Sequence, residues 1–102
     1  MNGSIARYLG PEKAAMLEKK YFLDLYRKID RLTSCLDHGD MAGIREIAHG
    51  LKGSGKSYGF GYVTEVGIDL SRCAKQGDHP GLKDLVQGLE SWMRDRSSSE
   101  QE

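Results

Sequence analysis

Proline is almost missing from this chain. It occurs only at Pro11 and Pro80, so residues 12–79 contain none. Each proline sits where a helix could begin. Net charge is missing as well: 15 Lys and Arg offset 15 Asp and Glu. That balance argues against a nucleic-acid binder, which usually carries a basic excess. No apolar run approaches the ~20 residues of a membrane span. The first residues lack the basic-then-apolar pattern of a signal peptide. Cysteine is limited to Cys35 and Cys73; without an export signal, these read as reduced thiols of a cytoplasmic protein, packed near helix ends. No cluster of His, Cys, Asp or Glu has metal-ligand spacing. Strand patterning is absent too, because Val and Ile do not alternate with polar residues. At 102 residues and 38% hydrophobic content, the chain is one domain with a small core.

What is present is helical periodicity. From Pro11 to Asp37, Leu17, Tyr21, Leu25, Ile29, Leu32 and Leu36 recur every three or four residues, which keeps one apolar stripe. A second segment, Asp40 to about Tyr58, places Ile44, Ile47, Ala48, Leu51 and Tyr58 on one side. A third, Tyr62 to Gln76, carries Val63, Val66, Leu70 and Cys73 or Ala74. The fourth, Pro80 to about Arg94, carries Leu82, Leu85, Val86, Leu89, Trp92 and Met93. Connections are short, so neighbouring helices run antiparallel. The expected fold is all-α, an up-down-up-down antiparallel four-helix bundle with an N-terminal extension. Its core spans about 13–94, and 97–102 read as a disordered tail.

An internal repeat supports the joints. Offset by 38 residues, the stretch from Cys35 through Gly39-Asp40 and Gly43 to Ile47 matches Cys73 through Gly77-Asp78 and Gly81 to Leu85. Glycine can end a helix in the left-handed conformation, and aspartate can cap the next one. The register also pairs His49 with Gln87. Gly59, Phe60 and Gly61 break the second helix from the third.

On a wheel of ~100° per residue centred on Ile44, His49 falls about 140° away from the apolar side. The bundle does not need it there. Arg45, Lys52, Gly53 and Lys56 share its outer face. A neutral imidazole is a nucleophile near neutral pH. Neighbouring cations attract an incoming phosphoryl group, and phosphoryl transfer needs mainly positioning and charge stabilisation. Gly53 leaves backbone open to the close approach of a partner's active site. Nothing in the segment supplies a general base or a carboxylate triad partner for hydrolysis, so a phosphate carrier fits better than a hydrolase.

The run Ala48-His49-Gly50-Leu51-Lys52-Gly53-Ser54, with Gly59 ten residues after the histidine, resembles the histidine-containing phosphotransfer (HPt) domain family over roughly residues 13–93. The resemblance implies that His49 is the phosphoacceptor, Lys52 the cation near the phosphoryl group and Gly53 the gap for the partner. Lys56 and Arg45 add positive field. Gly50, Tyr58, Gly59 and Phe60 are expected at the docking surface. Implied partners are response-regulator receiver domains and a sensor or hybrid histidine kinase, with no nucleic acid and no membrane. No cofactor is expected, since Mg2+ would belong to the receiver. The protein would be a phosphotransfer intermediate rather than an enzyme on its own; its starting Met and short tail favour a free-standing protein.

Two other readings compete. Gly50-Leu-Lys-Gly-Ser-Gly-Lys-Ser57 satisfies the G-x-x-x-x-G-K-S phosphate-loop pattern, which would make the chain a nucleotide binder. That loop must follow a strand and open a helix, and here helical spacing precedes it while a glycine-rich break follows. The other is a helical interaction module without phosphate chemistry.

Overall fold

The computed structural model describes the backbone over residues 10–101 and side chains over 10–96. The expected N-terminal extension, residues 1–9, lies outside the described residues, as does Glu102. Among the described residues four helices follow in order: α1 (Pro11–His38), α2 (Met41–Tyr58), α3 (Gly61–Gln76) and α4 (His79–Gln101). No strand occurs among the described residues. Helix α1 opens on Pro11, whose missing N–H would have had no intrahelical partner in any case. Each helix packs on its neighbour in sequence, and α1 closes the ring against α4. Short joints with that adjacency are what an up-down-up-down course produces.

The predicted stripes form the core. Leu25, Leu32, Ile44, Leu51, Val63, Leu70, Leu82 and Leu89 are fully buried. Phe22 and Phe60 join them, although neither lies on a predicted stripe. Both belong to an aromatic end of the bundle. Tyr58 stacks on Tyr21 at 4.3 Å between ring centroids, and Phe60 meets Trp92 edge-on. The Arg96 guanidinium lies over the Phe60 and Trp92 rings at 4.9 and 5.0 Å, a favourable cation–π placement.

The two repeat joints are built alike. Gly39 and Gly77 take φ 68° and 65°, a conformation costly for any residue with a Cβ. The next amide, of Asp40 or Asp78, donates back to the carbonyl of Cys35 or Cys73 at 2.8 or 2.9 Å. The Asp40 carboxylate accepts from the Gly43 amide at 2.9 Å, and that of Asp78 from the Gly81 amide at 3.0 Å. A Cβ on Gly43 or Gly81 would collide with the capping carboxylate. Each cysteine thiol points at the same aspartate, 3.9 Å away. The motif Cys-x3-Gly-Asp-x2-Gly is therefore one complete helix–helix joint, used twice.

One expectation changes. Helix α4 continues to Gln101 rather than giving way to a tail at 97. Serine costs only a few tenths of a kcal/mol per helical position, and Glu100 and Gln101 are good helix formers. Helix α2 is continuous to Tyr58 despite its glycines. Gly55 is buried in it, where a Cβ would meet the Thr64 backbone nitrogen at 2.6 Å.

Candidate functional site

Helix α2 presents its apolar side, Ile44, Ile47, Ala48 and Leu51, to the core. His49 is consequently exposed, and its ring has no hydrogen-bond or ion-pair partner among the described residues. Lys52 is exposed beside it, one turn along the helix. Gly53 is exposed with nothing within 4 Å of where a Cβ would stand, so the notch expected there is open.

His49 and Lys52 form one wall of a groove of about 310 Å³ between α2 and α3. The other wall is α3, through Ile68, Ser71, Arg72 and Lys75. Three cations from two helices thus share one groove with an unencumbered imidazole. Arg72 is 60% exposed and pairs with Asp69 at 3.1 Å. An exposed i,i+3 pair of this kind is worth little, so the guanidinium is readily released to another anion. Ser71 adds a hydroxyl that can donate to phosphate oxygens.

The helices approach closely because the seam lacks side chains. A Cβ on Gly67 would stand 2.7 Å from both the Ala48 carbonyl oxygen and the Lys52 nitrogen. The Thr64 hydroxyl donates to the Lys52 carbonyl at 3.2 Å. Behind α2, Ser54 and the Tyr21 hydroxyl are hydrogen-bonded at 3.2 Å. The turn carrying His49 is thereby held by α3 on one flank and, one turn on, by α1 behind it.

Other expected site residues lie elsewhere. Arg45 and Lys56 are exposed on α2 but do not line the groove. Gly50 is half-buried and faces α1; the nearest atom to its missing Cβ is the Lys28 ammonium at 3.8 Å. Phe60 was expected at the docking surface, but it is only 6% exposed and belongs to the core. With its neighbours Gly59 and Gly61 serving the break between helices, its ring is the natural plug for that end. Tyr58 is half-buried against Tyr21. Gly59 ends α2 at φ 80°. The phosphate-loop reading fails in the same segment: Gly50 to Ser57 lie within α2, so their amides serve the helix and cannot cradle a phosphate.

Sequence reasoning missed the α3 wall. A signal existed, since Ile68, Ser71, Arg72 and Lys75 recur at helical spacing opposite Val63, Val66 and Leu70. Nothing in the sequence, however, set the rotation of α3 against α2.

The Hpt domain family model matches residues 19–99, most of the bundle. The chain belongs to the Hpt domain family. Members of that family carry phosphoryl groups in two-component phosphorelays. No curated protein and no solved structure matches the chain. In this Hpt domain no described helix is long and apolar enough to cross a membrane, and no cluster of described His, Cys, Asp or Glu could hold a metal ion.

Proposed function

We propose that His49 is the phosphoacceptor of this Hpt domain, and that the chain relays a phosphoryl group between receiver domains. The observation that carries this reading is the exposed His49 ring in a groove lined by Lys52, Arg72 and Lys75. A ring nitrogen of neutral His49 attacks the phosphorus of a receiver's aspartyl phosphate. The N–P bond forms as the bond from phosphorus to the aspartate oxygen breaks, and the carboxylate leaves. The ammonium and guanidinium groups offset charge on the three phosphoryl oxygens, where positioning and electrostatics supply most of the catalysis. The reverse reaction passes the group to a second receiver. Mg2+ belongs to the receivers, and the bundle acts as a carrier in the cytoplasm rather than as an enzyme. A sensor or hybrid histidine kinase stands upstream. The open notch at Gly53 admits the edge of the receiver's active site.

The test is labelling by phosphorylated receivers of the source organism. The expected product is acid-labile and base-stable, and His49→Gln abolishes it. Because the ring is off the core, the variant keeps its unfolding free energy within about 0.5 kcal/mol. Labelling that survives His49→Gln refutes the assignment. A wild-type domain that no receiver labels supports a helical interaction module instead.

A further inference from the structure

Gly67 lies in the middle of α3, where glycine costs about 0.8–1 kcal/mol relative to alanine. It has ordinary helical φ, since the positive-φ glycines are Gly10, Gly39, Gly59 and Gly77. Backbone freedom is therefore not what it supplies. What it supplies is contact: its missing Cβ would lie 2.7 Å from the Ala48 carbonyl oxygen and 3.1 Å from the Lys52 Cα. These atoms belong to the turn that carries His49, and backbone cannot swing aside as a flexible side chain can. Ser71 and Lys75 follow Gly67 at four-residue steps, so they leave α3 on the same flank.

From this we infer that Gly67 is a positioning residue of the transfer site: its bare backbone lets α3 lie against the Ala48–Lys52 turn and brings Lys75 and Arg72 into the groove of His49. The inference rests on His49 being the phosphoacceptor. It goes further in making the site a two-helix construction whose α3 half depends on one glycine. A methyl group at position 67 forces α3 away from α2 or rotates it, and the α3 cations move with it. Lys52, anchored on α2 itself, stays where it is.

The experiment is a double-mutant cycle on Gly67→Ala and Lys75→Ala. Two readouts are used: the rate of transfer from a phosphorylated receiver, and the NMR chemical shifts of the His49 ring in the unphosphorylated protein. Gly61→Ala is the control, because position 61 is exposed in the same helix with nothing within 4 Å of the added methyl. Gly67→Ala is expected to slow transfer roughly tenfold, the equivalent of about 1.4 kcal/mol. Lys75→Ala is expected to slow it in the wild-type background and to have little further effect once position 67 is alanine. A merely structural glycine would give additive losses. Unchanged transfer in Gly67→Ala, or full additivity, overturns the inference. Should Gly67→Ala fail to fold, Thr64→Val loosens the same seam by removing the hydrogen bond to the Lys52 carbonyl; it must then show the same coupling to Lys75, and additivity refutes the proposal.

The ring shifts separate this inference from the functional reading. If no receiver labels the wild type, the phosphoacceptor assignment has failed. The positioning role of Gly67 is then still decided by whether Lys75→Ala moves the His49 ring resonances in the wild type and not in Gly67→Ala.

Discussion

The bundle contains two grooves related by the 38-residue repeat, and their charge differs: Lys52, Arg72 and Lys75 line the first, whereas the second mixes Asp37 and Glu90 with Lys83 and His79. The groove of His49 runs between α2 and α3; its counterpart, of about 280 Å³, runs between α4 and α1. Gln87 replaces His49, Glu90 replaces Lys52, and Asp37 replaces Lys75. Thr33 stands for Ser71, so a hydroxyl persists. The seam differs as strongly. Ala48, Gly55 and Gly67 have Val86, Met93 and Ile29 as counterparts, and these three are buried in the core. Contact between α2 and α3 is accordingly far more extensive than between α4 and α1. The shared joints show that the repeat specifies the frame. The two frames differ in what they hold: one carries an imidazole, two lysines and a seam bare enough for them to meet.

The sharpest way to break this comparison is to exchange charge between the grooves. Lys52→Glu gives the His49 groove the carboxylate of its counterpart. Transfer from a phosphorylated receiver should slow by roughly ten- to a hundredfold, because like charges face each other as the phosphoryl group arrives. Glu90→Lys makes the reverse change in the other groove and should leave the rate unchanged. A gain in rate from Glu90→Lys as large as the loss from Lys52→Glu would mean that overall charge governs docking and that the His49 groove is not special.

How much of this could be read from the sequence follows the same division. Periodicity gave all four helices, because apolar residues at steps of three and four have only one way to share a core. The joints were legible because glycine and aspartate each do one local job there. His49 was legible because its angle on α2 follows from α2 alone. The α3 wall was not, since Arg72 and Lys75 enter the site only through how α3 packs. Gly67 marked that packing, but a glycine inside a helix does not reveal what lies against it. Phe60 failed for a related reason. A residue in a break between two helices belongs to neither stripe, so periodicity could not show that it turns inward.

A smaller effect tests whether the two joints are as equivalent as they look. Asp40→Ala and Asp78→Ala each remove a capping acceptor and should each cost about 1 kcal/mol in urea denaturation. The two costs should agree within about 0.5 kcal/mol and should add in the double variant, since the caps share no partner. A marked inequality would break the equivalence of the joints and confine the repeat to sequence.

The smallest expected effect separates the back of α2 from its front. Tyr21 is 4% exposed, with its hydroxyl hydrogen-bonded to Ser54, on the side of α2 away from the groove. Burial, reinforced by Tyr58 and Asp24, pushes its phenol above the ordinary value of 10.0, and the Ser54 hydrogen bond offsets this only in part. The folded protein therefore holds the phenolic proton more tightly than the unfolded chain does. Its contribution to stability is complete below pH ~10 and is lost as pH rises through the folded-state value, because there the unfolded chain binds fewer protons. Tyr21→Phe should cost about 0.5–1.5 kcal/mol at pH 7 through the lost hydrogen bond, and should flatten the alkaline fall in stability measured by urea denaturation against pH. Transfer to His49 should not change. A slower transfer in Tyr21→Phe would show that the Tyr21–Ser54 contact, one turn beyond His49, is felt through α2 in the groove.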